Sequence, residues 1–159
     1  MEMATKLTKD LEHSETQEFC TFFINNRLYG IDVMEVQEVN KKLIITPVPL
    51  TPNYVYGLIN LRGQISTAIS LRELFGMPPK DSEDSMSVVC AKDGILISLI
   101  VDEIGDVCAA RNEDFEPIPD TIKPEQRQYL SGVYKQENSL LSVLNVDSIA
   151  KQLNTNKKS

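Results

Sequence analysis

Tyr56-Gly57-Leu58-Ile59-Asn60-Leu61-Arg62-Gly63-Gln64-Ile65 is the stretch whose reading decides the fold. Apolar residues flank Arg62-Gly63 on both sides, the pattern of two strands reversing at a glycine-closed turn. The turn carries one cation in a chain whose formal net charge is -7. A lone cation at a hairpin tip suits docking, or simple solvation of the loop, better than it suits a reaction centre.

Outward from this hairpin the chain alternates short apolar strands with turn residues. Phe19 to Ile24 and Leu28 to Val33 flank Asn25-Asn26 and read as a first hairpin. Val33 to Val39 fits one or two helical turns or a bent strand. Leu43 to Ile45 reads as a short strand stopped by Pro47, Pro49 and Pro52, which remove backbone donors. After the central hairpin, which runs to Leu71, Arg72 to Phe75 forms one helical turn closed by Gly76. Met77 to Ser87, with its prolines, acids and serines, reads as a linker. Val88 to Ala91 and Ile95 to Val101 flank Asp93-Gly94; strands are expected near Ile104 to Cys108, Leu130 to Tyr134 and Leu140 to Asn145. Asp147 caps a last helix through Leu153. Residues 1–17 read as a mobile N-terminal tail, 18–153 as the folded domain and 154–159 as a C-terminal tail.

The two sides of the linker resemble each other. Gly57 and Gly132, Leu71 and Val146, and Leu74 and Ile149 are each about 75 positions apart, and Asp32 and Asp102 about 70. Two small β-barrels related by pseudo-symmetry explain this economically, because closure hides strand edges.

Composition narrows the function. With 159 residues and 42% hydrophobic content the chain can bury its own core. Its negative charge opposes binding to nucleic acid or anionic lipid. Cys20, Cys90 and Cys108 are odd in number and lack metal-ligand spacing, so reduced thiols and a cytoplasmic location are expected. The sequence shows neither a signal peptide nor an apolar run long enough to span a bilayer. The single histidine, His13, lies in the expected tail, and P-loop, GxGxxG, nucleophile-elbow and HExxH motifs are absent. Asp102-Glu103 and Asp32 with Glu35 read as solvated corner residues. No enzyme, metal or cofactor is expected.

Arg62 could be fixed by Glu38 through a bidentate pair, which beside Val36 would make an interface hot spot. A valine in such a place is more often core than contact. Phe115 and Ile118, in a proline-rimmed loop, either plug a barrel or present an apolar patch.

Taken together, Tyr29-Gly30-Ile31-Asp32-Val33, Val36-Gln37-Glu38-Val39, Tyr56 to Gly63, Leu71-Arg72 with Leu74-Phe75-Gly76, Val101-Asp102 with Val107, and Gly132-Val133 closely resemble the CheW family of bacterial chemotaxis coupling proteins. The resemblance spans about residues 18 to 153. It implies a mainly β fold of two SH3-like five-stranded barrels with short helices, and a non-catalytic adaptor linking chemoreceptors to the histidine kinase CheA. In such proteins the receptor's cytoplasmic helical tip lies in the groove between barrels, and that site carries over to Val36, Glu38, Gly57, Arg62, Ile104 and Val107. The kinase's CheW-like regulatory domain packs on barrel ends, for which Ile44, Glu116 and Ile118 are expected contacts. Family members often carry Asp where this chain has Ser70 and Asn145. A scaffold of another receptor–kinase pathway and a small-molecule-binding regulator are the alternative readings.

Overall fold

The computed structural model describes residues 15–41, 43–80 and 85–157, and side chains through 154. The chain opens with β1 (Thr16–Ile24) and β2 (Arg27–Asp32), joined by Asn25 and Asn26 at φ 53° and 65°. Asparagine tolerates this left-handed conformation, and two such residues in succession give the turn whose twist matches a two-stranded ribbon. A 3-10 turn at Val33–Glu35 follows, capped by Asp32, which accepts from the Met34 N–H at 2.9 Å. It leads into β3 (Val36–Asn40), so the ambiguous segment is first helical and then extended. The central hairpin is β4 (Val55–Leu61) and β5 (Gln64–Ser70), and α1 (Leu71–Leu74) follows directly. Next come β6 (Met86–Lys92), β7 (Ile95–Val101) and β8 (Glu103–Arg111). A two-residue β9 (Phe115–Glu116), α2 (Pro124–Arg127), β10 (Leu130–Lys135), β11 (Leu140–Leu144) and α3 (Val146–Lys157) complete the chain.

The strands form two sheets, in the orders β8-β1-β2-β11-β10-β9 and β3-β6-β7-β5-β4. Each sheet draws on both sides of the 77–87 segment, so the repeated halves exchange hairpins instead of folding side by side. The cause lies at two corners: the turn after β2 carries the chain straight into β3 of the other sheet, and Asp102 does the same between β7 and β8. Each transferred hairpin then pairs in parallel, β2 beside β11 and β7 beside β5. Tyr29 lies opposite Ser142 and Ile97 opposite Thr67. The hairpins therefore repeat at the spacing of Tyr29 and Ile97, and the later strands at that of Thr67 and Ser142. Gly57 and Gly132 are structurally equivalent, whereas Asp32 and Asp102 are two residues out of step.

Neither sheet closes through a hydrogen-bonded ladder; the fold is SH3-like, with β3 and β4 as edges of one sheet and β8 and β9 of the other. Leu43 to Ile45 is not a strand: after the prolines' loss of donors, one bridge remains, Thr46 with Leu58, through two 2.8 Å bonds. β1 begins at Thr16, inside the stretch read as a tail, because Thr16 and Gln17 pair with Arg111 and Ala110. At the other end α3 extends to Lys157. His13 and the rest of the N-terminal stretch, like residues 81–84, lie outside the described residues.

One core joins the sheets. Phe22, Ile24, Tyr29 and Ile31 meet Ile69, Leu71, Val88, Ile97 and Leu99 in a single buried cluster, closed by Val146, Ile149, Ala150 and Leu153 of α3. The helical residues recur at i, i+3, i+4 and i+7, which puts them on one face. Phe22 stacks on Tyr29 with centroids 5.9 Å apart. Burying side chains of this size contributes about 1.5–3 kcal/mol each, so the sheets are held together by the same residues that hold each one. Cys90 lies in this core, and burial pushes its thiol up to about 12, which keeps it protonated. Cys20 and Cys108 are half-buried free thiols.

Candidate functional site

The central hairpin turns at Arg62 (φ 53°) and Gly63 (φ 90°), and Asn60 Oδ1 accepts from the Gly63 N–H at 2.9 Å, fixing the turn from its base. The Arg62 guanidinium thereby leaves the tip toward β3, where Nη2 donates to Glu38 Oε2 at 2.7 Å. The contact is one hydrogen-bonded ion pair in place of the bidentate pair expected. Its placement matters more than its strength: β3 and β4 are opposite edges of the five-stranded sheet, so the pair spans the gap between them. Arg62 keeps 82% of its side-chain surface exposed and Glu38 20%. Exposed apolar side chains, Val39 and Ile65, lie one and three residues away along the chain.

Val36 and Ile104 hold corresponding places on β3 and β8: Val36 pairs with Cys90 as Ile104 pairs with Phe22. Both are half-buried against the common core. Val107, exposed on β8, corresponds in the same way to Val39. Five of the six expected receptor contacts thus lie on edge strands or the hairpin tip with surface to offer. Gly57 does not. It is buried at φ 144°, and a Cβ there would fall 2.1 Å from the Thr46 carbonyl oxygen. Its task is to let β4 pass that carbonyl, which positions the hairpin.

The expected kinase contacts divide similarly. Ile44 is exposed, in the loop before the central hairpin. Glu116 is paired with Lys135 at 3.0 Å, and Ile118 packs on the main core. Phe115 stands half out, edge-on to Tyr134 with centroids 5.1 Å apart. Two residues escaped the sequence reading: Val48 and Leu50, exposed in the proline loop, with Leu50 at φ 60°. They border a groove of about 290 Å³ with Pro52, Val55, Leu58 and Leu153. Apolar residues interleaved with prolines were the available signal.

The acidic corners are not alike. Asp102 is largely buried and takes a bidentate guanidinium, Arg72 Nε and Nη2 donating at 2.7 and 2.8 Å, with the Asn25 N–H at 2.8 Å. Burial pushes its carboxyl up, but these hydrogen bonds and the Arg72 charge outweigh it and hold the group below the usual carboxylate range. Expecting a solvated residue there was incorrect, because only the exchanged hairpins bring Arg72, Asn25 and Asp102 together. Among the described residues no group of three or more His, Cys, Asp or Glu is placed to hold a metal.

The match to known proteins decides what this geometry belongs to. The family model of the CheW-like domain covers residues 18–154. The chain belongs to the CheW family. It is 30% identical to the chemotaxis protein CheW of Helicobacter pylori over 146 residues, covering 91% of this chain and 88% of that protein. Identity to the chemotaxis protein CheW of Treponema pallidum is 31% over 142 residues, covering 86% and 84% of the two chains. A crystal structure of the scaffolding protein TtCheW from Thermoanaerobacter tengcongensis superposes with a TM-score of 0.74 at 31% identity, over 81% of this chain and 88% of that one. Among the described residues, no helix of this CheW-family chain is long and apolar enough to cross a membrane.

Proposed function

We propose that this chain is a non-catalytic adaptor that joins the cytoplasmic tips of chemoreceptors to the histidine kinase CheA. A role in chemotaxis as a scaffold is that of its family and named relatives. The observation that carries the finer reading is the Arg62–Glu38 pair, a partly desolvated carboxylate steering an exposed guanidinium across an open sheet edge. An arginine held by a carboxylate at the exposed tip of a hairpin is a residue type enriched in interface hot spots. Val36, Glu38, Arg62, Ile104 and Val107 are the receptor contacts in this reading. Ile44, Val48 and Leu50 offer the apolar surface for the kinase's regulatory domain, in a cytoplasmic protein reaching the membrane only through its partners. Binding both partners at once ties the kinase's activity equilibrium to the receptor's state without chemistry in the adaptor itself.

Pull-down with receptor cytoplasmic fragments and CheA tests this. Arg62→Ala should lower receptor capture about tenfold while leaving unfolding unchanged and CheA capture intact; Leu50→Glu should do the reverse. Glu38→Arg should fail alone and recover when combined with Arg62→Glu. Receptor capture indifferent to Arg62 would remove the pair from the site, and capture of a different receptor–kinase set would place the scaffold in another pathway.

A further inference from the structure

A cavity of about 460 Å³ opens at the corner where the six-stranded sheet meets α3, the counterpart of the corner where Arg72 holds Asp102. Each corner is built from three equivalent parts. These are the turn leaving one transferred hairpin, the tip of the other hairpin, and the second residue of the following helix. At the first corner they supply Asp102, Asn25 and Arg72, and the helix residue is the cation that fills the space. At the second they supply Asp32 with Glu35, Lys92 at the hairpin tip, and Asp147 in place of arginine. Thus the helix position that is cationic in one half is anionic in the other, and the space next to it is open.

The lining has more to it than charge. Phe115 and Tyr134 present aromatic surface on the same cavity, beside the Asn145 amide. Asp32 already accepts from Gln17 Nε2 at 2.6 Å and from the Met34 N–H, and Asp147 pairs with Lys151 at 3.3 Å on the helix surface. Glu35 has no hydrogen-bond or salt-bridge partner among the described residues. Burial, with a smaller contribution from the Asp32 and Asp147 charges, raises the Glu35 carboxyl despite Lys92, and Asp32, Glu35 and Asp147 all line this one cavity. They are not placed to share a bare metal ion. Carboxylates spread around an aromatic-walled space fit a flat, delocalised cation, which can hydrogen-bond at its edge and lie against a ring with its face.

We propose that this cavity binds a guanidinium group, presented to Glu35 and Asp147 from outside as Arg72 presents one to Asp102 from within. This goes beyond the adaptor reading and does not depend on it, since none of the residues proposed for receptor or kinase lines the cavity. The group can come from an arginine side chain in a polypeptide or from a free arginine-like solute, whose carboxylate would meet Lys92.

Amide chemical-shift mapping of the isotope-labelled full chain during titration with L-argininamide, with L-arginine, and with sodium chloride at matched ionic strength is the test. Saturable shifts should cluster at Asp32, Glu35, Ser131, Asn145 and Asp147 with argininamide. Equal or tighter binding of argininamide than of arginine assigns a polypeptide source; preference for arginine, lost in Lys92→Ala, assigns a solute. Glu35→Gln and Asp147→Asn should each weaken binding about tenfold, and Asp147→Arg, which carries its own guanidinium into the corner, should abolish it. Glu35→Gln keeps the test open should the arginine variant fail to fold. Shifts no larger than those from sodium chloride, or binding undiminished in both conservative variants, would overturn the proposal.

Discussion

Both sheets bring one edge strand toward the tip of their last hairpin, but they join the two by different chemistry. In the five-stranded sheet an arginine at the tip reaches a glutamate on β3. In the six-stranded sheet the Cys108 thiol of β8 meets the Gln136 side-chain oxygen, just past β10, at 3.5 Å. The same architecture therefore stands with a neutral contact in one half and an ion pair in the other. An ion pair with one partner this exposed contributes about 0.5 kcal/mol or less, so stability does not explain the charge. The half that carries it is the half whose Arg62 guanidinium stays largely exposed to solvent.

Equivalent positions with unequal surroundings make this comparison breakable, and the sharpest case is Gly57 against Gly132. A methyl at Gly57 meets the Thr46 carbonyl at 2.1 Å from a backbone already at φ 144°, and neither the bridge nor the strand can give way. At Gly132 the first obstacle is the Phe115 ring, 2.4 Å off but half exposed, with the Glu116 carbonyl at 2.9 Å. Gly57→Ala should cost about 3 kcal/mol or more, and Gly132→Ala about 1–2 kcal/mol, part of it recovered in a Phe115→Ala background. Urea unfolding of the four proteins measures this. Equal losses at the two glycines would mean that the ring is as immovable as the backbone.

The corners give the next effect in size. Arg72 and Asp102 are both largely buried, so Arg72→Ala leaves a carboxylate with only the Asn25 N–H and should cost about 3 kcal/mol near neutral pH. The sign with pH follows from the depressed Asp102 pKa. Its stabilisation is fully present above the unfolded-state value of about 4 and is lost as pH falls through the lower folded value. Without Arg72, desolvation dominates and protonation ceases to be a penalty. The gap between wild type and Arg72→Ala should therefore narrow as pH drops below about 4. A gap constant from neutral pH down to acid unfolding would show that the arginine acts through packing alone.

What the sequence could reveal follows from how local each device is. Asn25-Asn26, Arg62-Gly63 and Asp93-Gly94 carry their own turn geometry, so three hairpins were legible from adjacent letters. The exchange of hairpins was not, because the parallel pairing of Tyr29 with Ser142 joins residues from opposite ends of the chain with no local signal. The Arg72–Asp102 corner was hidden for the same reason. The helix α2 was missed although Pro124-Glu125 is an ordinary helix opening. Arg62 and Glu38 were legible through opposite charge and family resemblance. The backbone role of Gly57 was not legible, because its φ of 144°, the reason for the glycine, is not written in the letters.

The smallest effect concerns the helix caps, where the halves agree most closely. Ser70 donates its N–H to the Tyr54 carbonyl at 2.8 Å and accepts the Glu73 N–H on its hydroxyl at 3.4 Å. Asn145 donates to the Tyr129 carbonyl at 2.7 Å and accepts the Ser148 N–H on Oδ1 at 3.1 Å. Each residue ends a strand and starts a helix in one step, a task that aspartate, another strong N-cap, can also perform. Replacing either by alanine strands one helix N–H and should cost about 1 kcal/mol. Asp at either position keeps the acceptor and adds charge at the positive end of the helix, a gain of about 0.5 kcal/mol. The gain should be smaller at Asn145, where Asp32, Glu35 and Asp147 line the same cavity and repel a further carboxylate. Thermal unfolding of the two aspartate variants separates these terms: equal gains would mean that the acidic corner is screened at the cap, and a loss at Asn145 alone would measure how strongly it is not.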